Sequence, residues 1–396
     1  MPDFFKTIPM TTFIQNTDIP NYSTPFYYYN LNLLEKTLKT AQQEAKKHNF
    51  HIHYALKANN NPEILSMIQS FGIGADCVSG NEITTAIAHD FPANKIFFAG
   101  VGKTDKEIQT AIKNNIFCFN VESLQELEVL NNWAQEFQTN IRVALRINPN
   151  IDAKTHKFIS TGKAENKFGI PDEKIDQAIE IIENSSSINL IGLHFHIGSQ
   201  ILDLEIYKIL CETANYWNNY FLQKNHKLKI LNLGGGLGID YQNPEKNSIP
   251  DFKAFFQVFA QHLKTLPQQE VHFELGRSLV GQCGNLITKV LYIKEGLQKN
   301  FAIIDAGMTD LIRPALYQAQ HKIKILTPKK TTDKINYEIV GPICESADSF
   351  SQSTHLPKLK RGDYLMINSV GAYGEVMASQ YNMRDKIKAF TSFSKH

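Results

Sequence analysis

Lys57 is the first residue in the chain whose type and position suggest chemistry. It follows the short apolar run 52–56 and precedes Asn59-Asn60-Asn61-Pro62. If the run is a buried parallel strand, its end lies at the edge of a sheet where barrels and doubly wound folds carry their active sites. A lysine amine that is removed from water can form a Schiff base. Lys57 is therefore a candidate nucleophile, and a solvated lysine closing a strand is the alternative.

Two histidines, His194 and His196, end another apolar run. Residues i and i+2 of a strand share a face, so a metal site is conceivable, but no third ligand is spaced to complete it. We therefore predict no metal. A packing histidine and a histidine stacked on a flat cofactor remain the two other interpretations.

Two further segments could bind an anion. The segment Leu233–Gly238 includes Gly235 and Gly236, and glycine lets backbone N–H groups approach a phosphate closely. Its position does not match the G-x-G-x-x-G dinucleotide motif, and an ordinary tight turn is the alternative. Glu274-Leu275-Gly276-Arg277 places a carboxylate near a guanidinium that could bind phosphate, with a structural salt bridge as the alternative.

Late in the chain, Cys344-Glu345 offers a thiol beside a carboxylate, and Tyr373 stands between glycines. Alone, Cys344 would more often be a small buried side chain than a catalyst. Taken together, the candidates supply a Schiff-base lysine, a flat histidine, a phosphate cradle, an acid for a ring nitrogen and a thiol that can deliver a proton. These are the parts that a pyridoxal phosphate enzyme requires.

The elements that must position these residues alternate along the chain. Apolar strand candidates, separated by segments with helical periodicity, occur at 52–56, 73–77, 96–99, 116–120, 141–147, 190–196, 229–233 and 271–275. Eight buried strands with helical crossovers predict a (β/α)8 barrel over residues 26–275, with the candidate residues at the C-terminal ends of its strands. After about residue 280 the pattern is β-rich, which predicts a β domain formed by 1–25 and 276–396.

Composition limits the class of protein. A chain of 396 residues with 42% hydrophobic residues can bury a large core, and a formal charge of +2 gives no electrostatic case for binding nucleic acid or a membrane surface. A small metabolite is the expected partner. The five cysteines are odd in number and never spaced as C-x-x-C, and no apolar run is long enough for a membrane span. We therefore expect a cytoplasmic protein.

Several motifs carry a family resemblance that runs from Tyr54 to Asn382. Beside the cysteine and tyrosine motifs, the most specific are Arg146–Pro149 with Asp152–His156 and Glu165–Gly169, and Asp305–Met308 with Asp310–Tyr317. With these motifs the chain resembles the diaminopimelate decarboxylases, of the alanine-racemase-like, fold type III group of pyridoxal phosphate enzymes. The resemblance implies a TIM-like barrel and a C-terminal β-barrel or β-sandwich domain that also takes in the strand near Pro25–Tyr29.

The resemblance also implies roles for the candidate residues. Lys57 would hold pyridoxal phosphate covalently, His196 would lie against its ring, and Glu274 would pair with the ring nitrogen. The phosphate would be surrounded by Ser199, Gly235, Gly236, Gly276, Arg277 and Tyr373. Cys344 would deliver the proton that replaces the departing carboxyl group. In this family the cysteine motif reaches the lysine of the partner subunit, which implies a homodimer with shared active sites.

For the substrate, the resemblance implies that a distal carboxylate is bound by Arg277, Arg313 and Tyr317, with Tyr373 also in the substrate site, and that Glu345 takes the distal ammonium. Ornithine decarboxylases usually have an aspartate where this chain has Gln318. The expected reaction is therefore decarboxylation of meso-2,6-diaminopimelate to L-lysine. The alternatives are decarboxylation of another basic amino acid or a carboxylated polyamine, a racemase, which Cys344 disfavours, and a catalytically silent cofactor-binding homologue.

Overall fold

The computed structural model of the protein describes residues 22–151, 167–329 and 333–392. The chain forms two compact units. The barrel unit consists of Thr37–Gly238 and Pro250–Leu279, and the β unit consists of the described parts of Met1–Lys36, Ile239–Ile249 and Val280–His396. Residues 1–21 of the predicted β domain and the motif residues 152–156 and 165–166 lie outside the described ranges.

The barrel unit is built on eight parallel strands. The described chain opens with β1 (Phe26–Tyr29) and α1 (Leu31–Lys46). The barrel strands follow: β2 (Phe50–Ala55), β3 (Gly74–Cys77), β4 (Ile96–Phe98), β5 (Cys118–Val121), β6 (Ile141–Arg146), β7 (Ile188–His194), β8 (Ile230–Asn232) and β9 (Glu270–Leu275). Each strand pairs with the next, and β9 pairs with β2, so the barrel is closed. This confirms the predicted (β/α)8 barrel.

Helices separate the strands: α2 (Pro62–Ser70), α3 (Gly80–Ala88), α4 (Asp105–Lys113), α5 (Leu124–Glu136), α6 (Ile175–Glu183), α7 (Glu205–Gln223) and α8 (Phe252–His262). Local capping explains several of their starts. The side chains of Ser79, Thr104 and Ser123 accept the backbone N–H three residues on, which begins α3, α4 and α5. No helix in the described part of the chain has the length and hydropathy that crossing a bilayer requires.

The side chains of β9 alternate between the outer face of the barrel and its interior. Phe273 packs against three phenylalanines of α8, so it lies on the outer, helix-covered face of the strand. Successive residues of a strand point to opposite faces, so Glu274 points into the barrel. There it meets polar side chains of β5, β7 and β8. The upper interior of the barrel is therefore polar.

The β unit is mostly sheet. After α9 (Arg277–Val280), the chain forms β10 (Gly284–Glu295), β11 (Asn300–Ile304), α10 (Arg313–Tyr317), β12 (Ile323–Ile325), β13 (Lys334–Val340), β14 (Ser349–Pro357), β15 (Tyr364–Asn368) and β16 (Lys388–Thr391). Among the described residues, the strand order is β12-β15-β10-β11-β13-β14, and β1 pairs with both β10 and β16. The sheet-rich C-terminal domain with an added N-terminal strand was predicted from the family resemblance, and the structure contains it.

The unit boundaries differ from the predicted 26–275 in three places, of which the smallest is at the C-terminal end, where the barrel unit extends to Leu279. β1 lies in the β unit because it pairs antiparallel with β10, with Phe26 opposite Ile287. Residues 239–249 also belong to the β unit, although they follow β8 in sequence. There the side-chain amide of Gln282 donates to the carbonyl oxygens of Asp240 and Asn247 at 3.0 and 3.2 Å. The predicted boundary places these two segments in the barrel, because the position of a segment in the sequence does not show which strand or side chain it pairs with.

Candidate active site

Lys57 lies immediately after β2, in a short 3-10 turn that spans Leu56–Ala58. Its Nζ atom donates to Oδ2 of Asp76 on the adjacent strand β3, at 3.1 Å. Asp76 is fully buried. Burial and the nearby charge of Glu274 raise the pKa of Asp76 to about 7, although Lys57 opposes the rise. Lys57 therefore has beside it a carboxyl group that can take up or release a proton near neutral pH.

Glu274 is buried near the end of β9 and is held by three side chains. Its Oε1 accepts hydrogen bonds from the amide nitrogens of Asn120 and Asn232, at 3.0 and 2.6 Å. Its Oε2 accepts from Nε2 of His194 at 3.1 Å. Burial acts to raise the pKa of Glu274, but pairing with His194 and the charge of Lys57 outweigh it and hold the pKa well below its usual range. Glu274 is an ionised carboxylate inside the barrel.

His196 is half-buried in the loop that follows β7. Burial, with the positive charges of Arg146 and Lys57, holds the pKa of His196 well below its usual value. An uncharged imidazole presents a flat face that can stack on an aromatic ring. Its neighbour His194 points instead to Glu274, and the described residues contain no group of three potential ligands arranged for a metal.

The glycine segment after β8 makes a close backbone turn. Gly234 and Gly236 have φ angles of +64° and +101°, which favour glycine. A Cβ atom on Gly236 would lie 2.8 Å from the carbonyl oxygen of Gly198, and one on Gly235 would overlap the carbonyl oxygen of Glu274. The space beside Gly235 and Gly236 therefore has no room for a side chain, and backbone atoms line this turn.

Arg277 lies in the same unit, just after the buried Gly276, and its side chain is held in place. Nε and Nη2 of Arg277 donate to Oγ of Ser199 at 3.2 and 3.1 Å. A guanidinium and a hydroxyl can both donate hydrogen bonds to a phosphate, and the backbone N–H groups of glycines can donate further ones. The barrel unit thus contains the donor set, the backbone space and the ionised acid that pyridoxal phosphate requires, so its residues fit that cofactor.

In the β unit, Arg313 is buried at the start of α10. Its Nη1 donates to the hydroxyl of Tyr241 at 2.7 Å and to Nε2 of His321 at 3.2 Å. Nδ1 of His321 donates to the carbonyl oxygen of Asn368 at 2.9 Å, which leaves Nε2 as the acceptor. Tyr317, at the end of α10, is half-buried, and Gln318 after it is exposed. The orientation of the Arg313 guanidinium is therefore fixed by an aromatic residue and a histidine.

Cys344 and Glu345 lie in an exposed loop between β13 and β14. The backbone N–H of Cys344 donates to Oδ1 of Asn382 at 3.1 Å, and the Tyr381 hydroxyl donates to Glu345 at 2.6 Å. The other four cysteines are buried, and burial raises the pKa of the Cys283 thiol to about 12. Cys344 is thus the one cysteine that a second molecule can reach.

Tyr373 is half-buried and has a φ angle of +56°, a left-handed conformation that is uncommon for an aromatic residue. The surrounding glycines accommodate it. A Cβ atom on Gly371 would overlap the carbonyl oxygen of Val280, and one on Gly374 would lie 2.5 Å from that of Val370. The Gly-Ala-Tyr-Gly motif is needed for this backbone, which holds the tyrosine in an unusual orientation.

Several residues of the site were not predicted. Asp76, Asn120 and Asn232 lie on barrel strands, and Tyr241 and His321 hold Arg313. One signal was present for the first three: each is a polar residue within or at the end of an otherwise apolar strand, and a buried polar residue must have a partner. The identity of that partner could not be read from the sequence.

A family model identifies the general class of enzyme to which the chain belongs. The family model for the pyridoxal binding domain of pyridoxal-dependent decarboxylases matches residues 31–281, more than half of the chain. The barrel unit, with its lysine, buried glutamate and glycine turn, lies largely within this match.

Individual relatives show which kind of pyridoxal-dependent decarboxylase the chain resembles. A diaminopimelate decarboxylase of Bacteroides thetaiotaomicron is 52% identical over 370 residues, 93% of this chain and 95% of the relative. A crystal structure of diaminopimelate decarboxylase from Helicobacter pylori complexed with L-lysine matches with a TM-score of 0.87 and 40% identity, covering 94% of this chain and 92% of that one. The corresponding M. jannaschii complex with L-lysine matches with a TM-score of 0.84 and 34% identity over 94% and 88%. The chain belongs to the diaminopimelate decarboxylase family.

Proposed function

We propose that the protein decarboxylates meso-2,6-diaminopimelate to L-lysine with pyridoxal phosphate, the last step of lysine biosynthesis by the diaminopimelate route. The observation that carries the proposal is the ionised Glu274 enclosed in a barrel that also holds Lys57 and a glycine cradle. The relatives support the substrate, since the Bacteroides thetaiotaomicron protein is a diaminopimelate decarboxylase and two solved relatives contain L-lysine, the expected product. Two solved decarboxylases that match this chain, a lysine/ornithine decarboxylase and an arginine decarboxylase, are each only 21% identical to it and show the fold alone.

In this proposal Lys57 would hold the cofactor covalently, His196 would lie against the face of its ring and Glu274 would pair with the ring nitrogen. Pyridoxal phosphate, when bound, supplies a sink for the electron pair that is left as carbon dioxide departs. The phosphate would be held by Ser199, Gly235, Gly236, Gly276 and Arg277, and by Tyr373. The negative charge of Glu274 would keep the ring nitrogen protonated, which would make the ring a better acceptor of the electron pair.

Asp76 is placed to exchange a proton with Lys57. Burial and the charge of Glu274 raise the pKa of Asp76 to about 7, so its carboxylate form is present near neutral pH and can accept a proton from the Lys57 ammonium at 3.1 Å. The neutral amine that results is the form that attacks a carbonyl carbon. We therefore assign Asp76 a role in binding and releasing the cofactor, beside the predicted role of Lys57.

For substrate binding, we propose that the distal carboxylate is bound by Arg313, together with Arg277, Tyr317 and Tyr373, and the distal ammonium by Glu345. Arg313 suits this task because the hydroxyl of Tyr241 and the ring of His321 fix its guanidinium. Glu345 is exposed, and the hydroxyl of Tyr381 orients its carboxylate. Gln318 supplies no charge for the end of a diamine, which argues against ornithine and carboxylated polyamines.

We propose further that the protein acts as a homodimer, in which Cys344 of the partner subunit delivers a proton to the carbon that has lost its carboxyl group. The exposure of Cys344 and its attachment to Asn382 support this role, because the thiol is accessible and its loop is held. We place the enzyme in the cytoplasm, a proposal that the five free thiols support.

The experiment that tests this proposal mixes two inactive variants. Lys57→Ala removes the cofactor attachment and Cys344→Ala removes the proton donor, so each homodimer should be inactive. After subunit exchange, a mixed dimer would contain one intact site, and activity should return to as much as about a quarter of the wild-type value, from half of the dimers carrying one site each. Differently tagged subunits show whether exchange has taken place. If the subunits exchange and activity does not return, the shared active site is contradicted.

A further inference from the structure

Glu274 differs in its partners from three other carboxylates of the barrel unit. These three, each buried or half-buried, form an ion pair with a lysine or an arginine: Asp76 with Lys57, Glu122 with Arg146, and Glu126 with Lys103. Glu274 is bonded instead to two amides and an imidazole. An arginine or lysine would cancel its charge, whereas an amide donor stabilises a carboxylate and leaves the charge in place.

The three donors come from three different strands. Asn120 lies on β5, His194 ends β7 and Asn232 ends β8, and each is almost completely buried. They approach both oxygens of Glu274, at 3.0, 3.1 and 2.6 Å respectively. The position of the carboxylate is therefore fixed before a ligand binds. A carboxylate that accepts several hydrogen bonds is also stabilised in its ionised form.

The histidine also has a defined tautomer. Nε2 of His194 must carry the proton that it donates to Glu274, while Nδ1 is buried with no hydrogen-bond partner. The geometry therefore sets which nitrogen of His194 bonds the carboxylate, and Glu274 receives three N–H donors on its two oxygens.

Asn232 connects this cluster to the glycine cradle. Its Oδ1 accepts the backbone N–H of Gly234 at 3.0 Å while its nitrogen donates to Glu274. The backbone N–H of Glu274 in turn donates to the carbonyl oxygen of Gly234 at 2.8 Å. One side chain thus sets the distance between the acid for the ring nitrogen and the backbone that receives the phosphate.

We propose that Asn120, Asn232 and His194 are positioning residues, which fix Glu274 in place and stabilise its ionised form, so that it keeps the ring nitrogen of pyridoxal phosphate protonated. The inference rests on the proposed function, because it specifies how the barrel prepares the acid that the reaction needs. The residues act through Glu274 and are not expected to touch the substrate.

Asn232→Leu tests the proposal with a side chain of similar size. Leucine removes the N–H that Glu274 accepts, and a carboxylate that loses a donor binds a proton more tightly and competes with the ring nitrogen for it. Asn218→Leu is the matched control, since Asn218 is also a buried amide, on α7, and is paired with Gln269. If Asn232→Leu does not fold, His194→Phe, which removes a donor, and His194→Gln, which retains an N–H donor, replace it.

The readout is the 15N NMR shift of ring-labelled pyridoxal phosphate bound to the holoenzyme, followed from about pH 6 to about pH 9, with kcat and KM measured alongside. We expect a protonated ring nitrogen throughout this range in the wild type and in Asn218→Leu. Asn232→Leu and His194→Phe should lose the ring proton within the range and lose about tenfold to a hundredfold in kcat, with KM changed much less, and His194→Gln should restore part of the loss.

A ring nitrogen that stays protonated in Asn232→Leu and His194→Phe would overturn the proposal, provided that Glu274→Gln loses the ring proton. If Glu274→Gln also keeps the proton, the role of Glu274 in the proposed function is itself wrong. A wild-type protein that takes up no pyridoxal phosphate would overturn both the positioning role and the proposed function.

Discussion

Asp76→Asn is expected to make the protein more stable and the enzyme slower. Burial and the charge of Glu274 raise the pKa of Asp76 to about 7, with Lys57 opposing, whereas aspartate in an unfolded chain has a pKa of about 4. Between these values the folded state binds the proton more tightly than the unfolded state. The contribution of Asp76 to stability is therefore complete below about pH 4 and is lost as the pH rises through about 7.

The size of the effect follows from the same two values. Each pH unit between them is worth about 1.4 kcal/mol, so ionised Asp76 lowers the free energy of unfolding by about 4 kcal/mol above about pH 7. Asparagine has the shape of the protonated acid and does not ionise. Asp76→Asn should therefore gain up to about 4 kcal/mol at about pH 8, and the gain should disappear toward about pH 4. Activity should fall because Lys57 loses the carboxylate at 3.1 Å.

Urea unfolding over a series of pH values measures this difference, without added cofactor so that binding does not contribute. Asp363→Asn is the control, because Asp363 is also fully buried and pairs with Lys329 at 2.5 Å in the β unit. That variant should lose about 3 to 5 kcal/mol, as expected when one partner of a buried pair is removed. An Asp76→Asn protein that is less stable than the wild type at about pH 8, or whose gain does not depend on pH, would refute the reasoning.

Two other substitutions test the anion sites. Gly235→Ala introduces a Cβ atom that would overlap the carbonyl oxygen of Glu274, so the affinity for pyridoxal phosphate should fall about tenfold or more in an absorbance titration, and an unchanged affinity would contradict the cradle. Arg313→Lys loses the planar group that Tyr241 and His321 orient, so KM for diaminopimelate should rise about tenfold or more while kcat changes little; a fall in kcat alone would argue against the binding role of Arg313.

The barrel could be predicted from the sequence because its signals are local and repeated. The strands are apolar runs, since parallel strands are buried on both faces, and helices such as Asp105–Lys113 have both helical periodicity and a capping residue. The β unit was harder to predict. β14 (Ser349–Pro357) is largely polar because much of it is exposed, and its apolar positions Phe350 and Leu356 are too few to indicate a strand.

The site could be predicted only in part. Lys57, Glu274 and the glycine turn stand out at strand ends, and the family resemblance suggests their roles. Their partners did not stand out, because a hydrogen bond between distant strands leaves no periodic pattern. Asn120 lies 154 positions from Glu274, and only the closure of the barrel brings the two together. The left-handed backbone of Tyr373 was likewise not visible before the structure, although the glycines beside it were.

Turnover of the pure protein with pyridoxal phosphate and four separate substrates is the most direct test of the proposed activity. The substrates are meso-diaminopimelate, L-ornithine, L-arginine and L-lysine, with carbon dioxide and the amine product measured in each reaction. We expect carbon dioxide and L-lysine in equal amounts from diaminopimelate and no turnover of the other three. Turnover of ornithine or arginine in place of diaminopimelate would contradict the substrate that is proposed here.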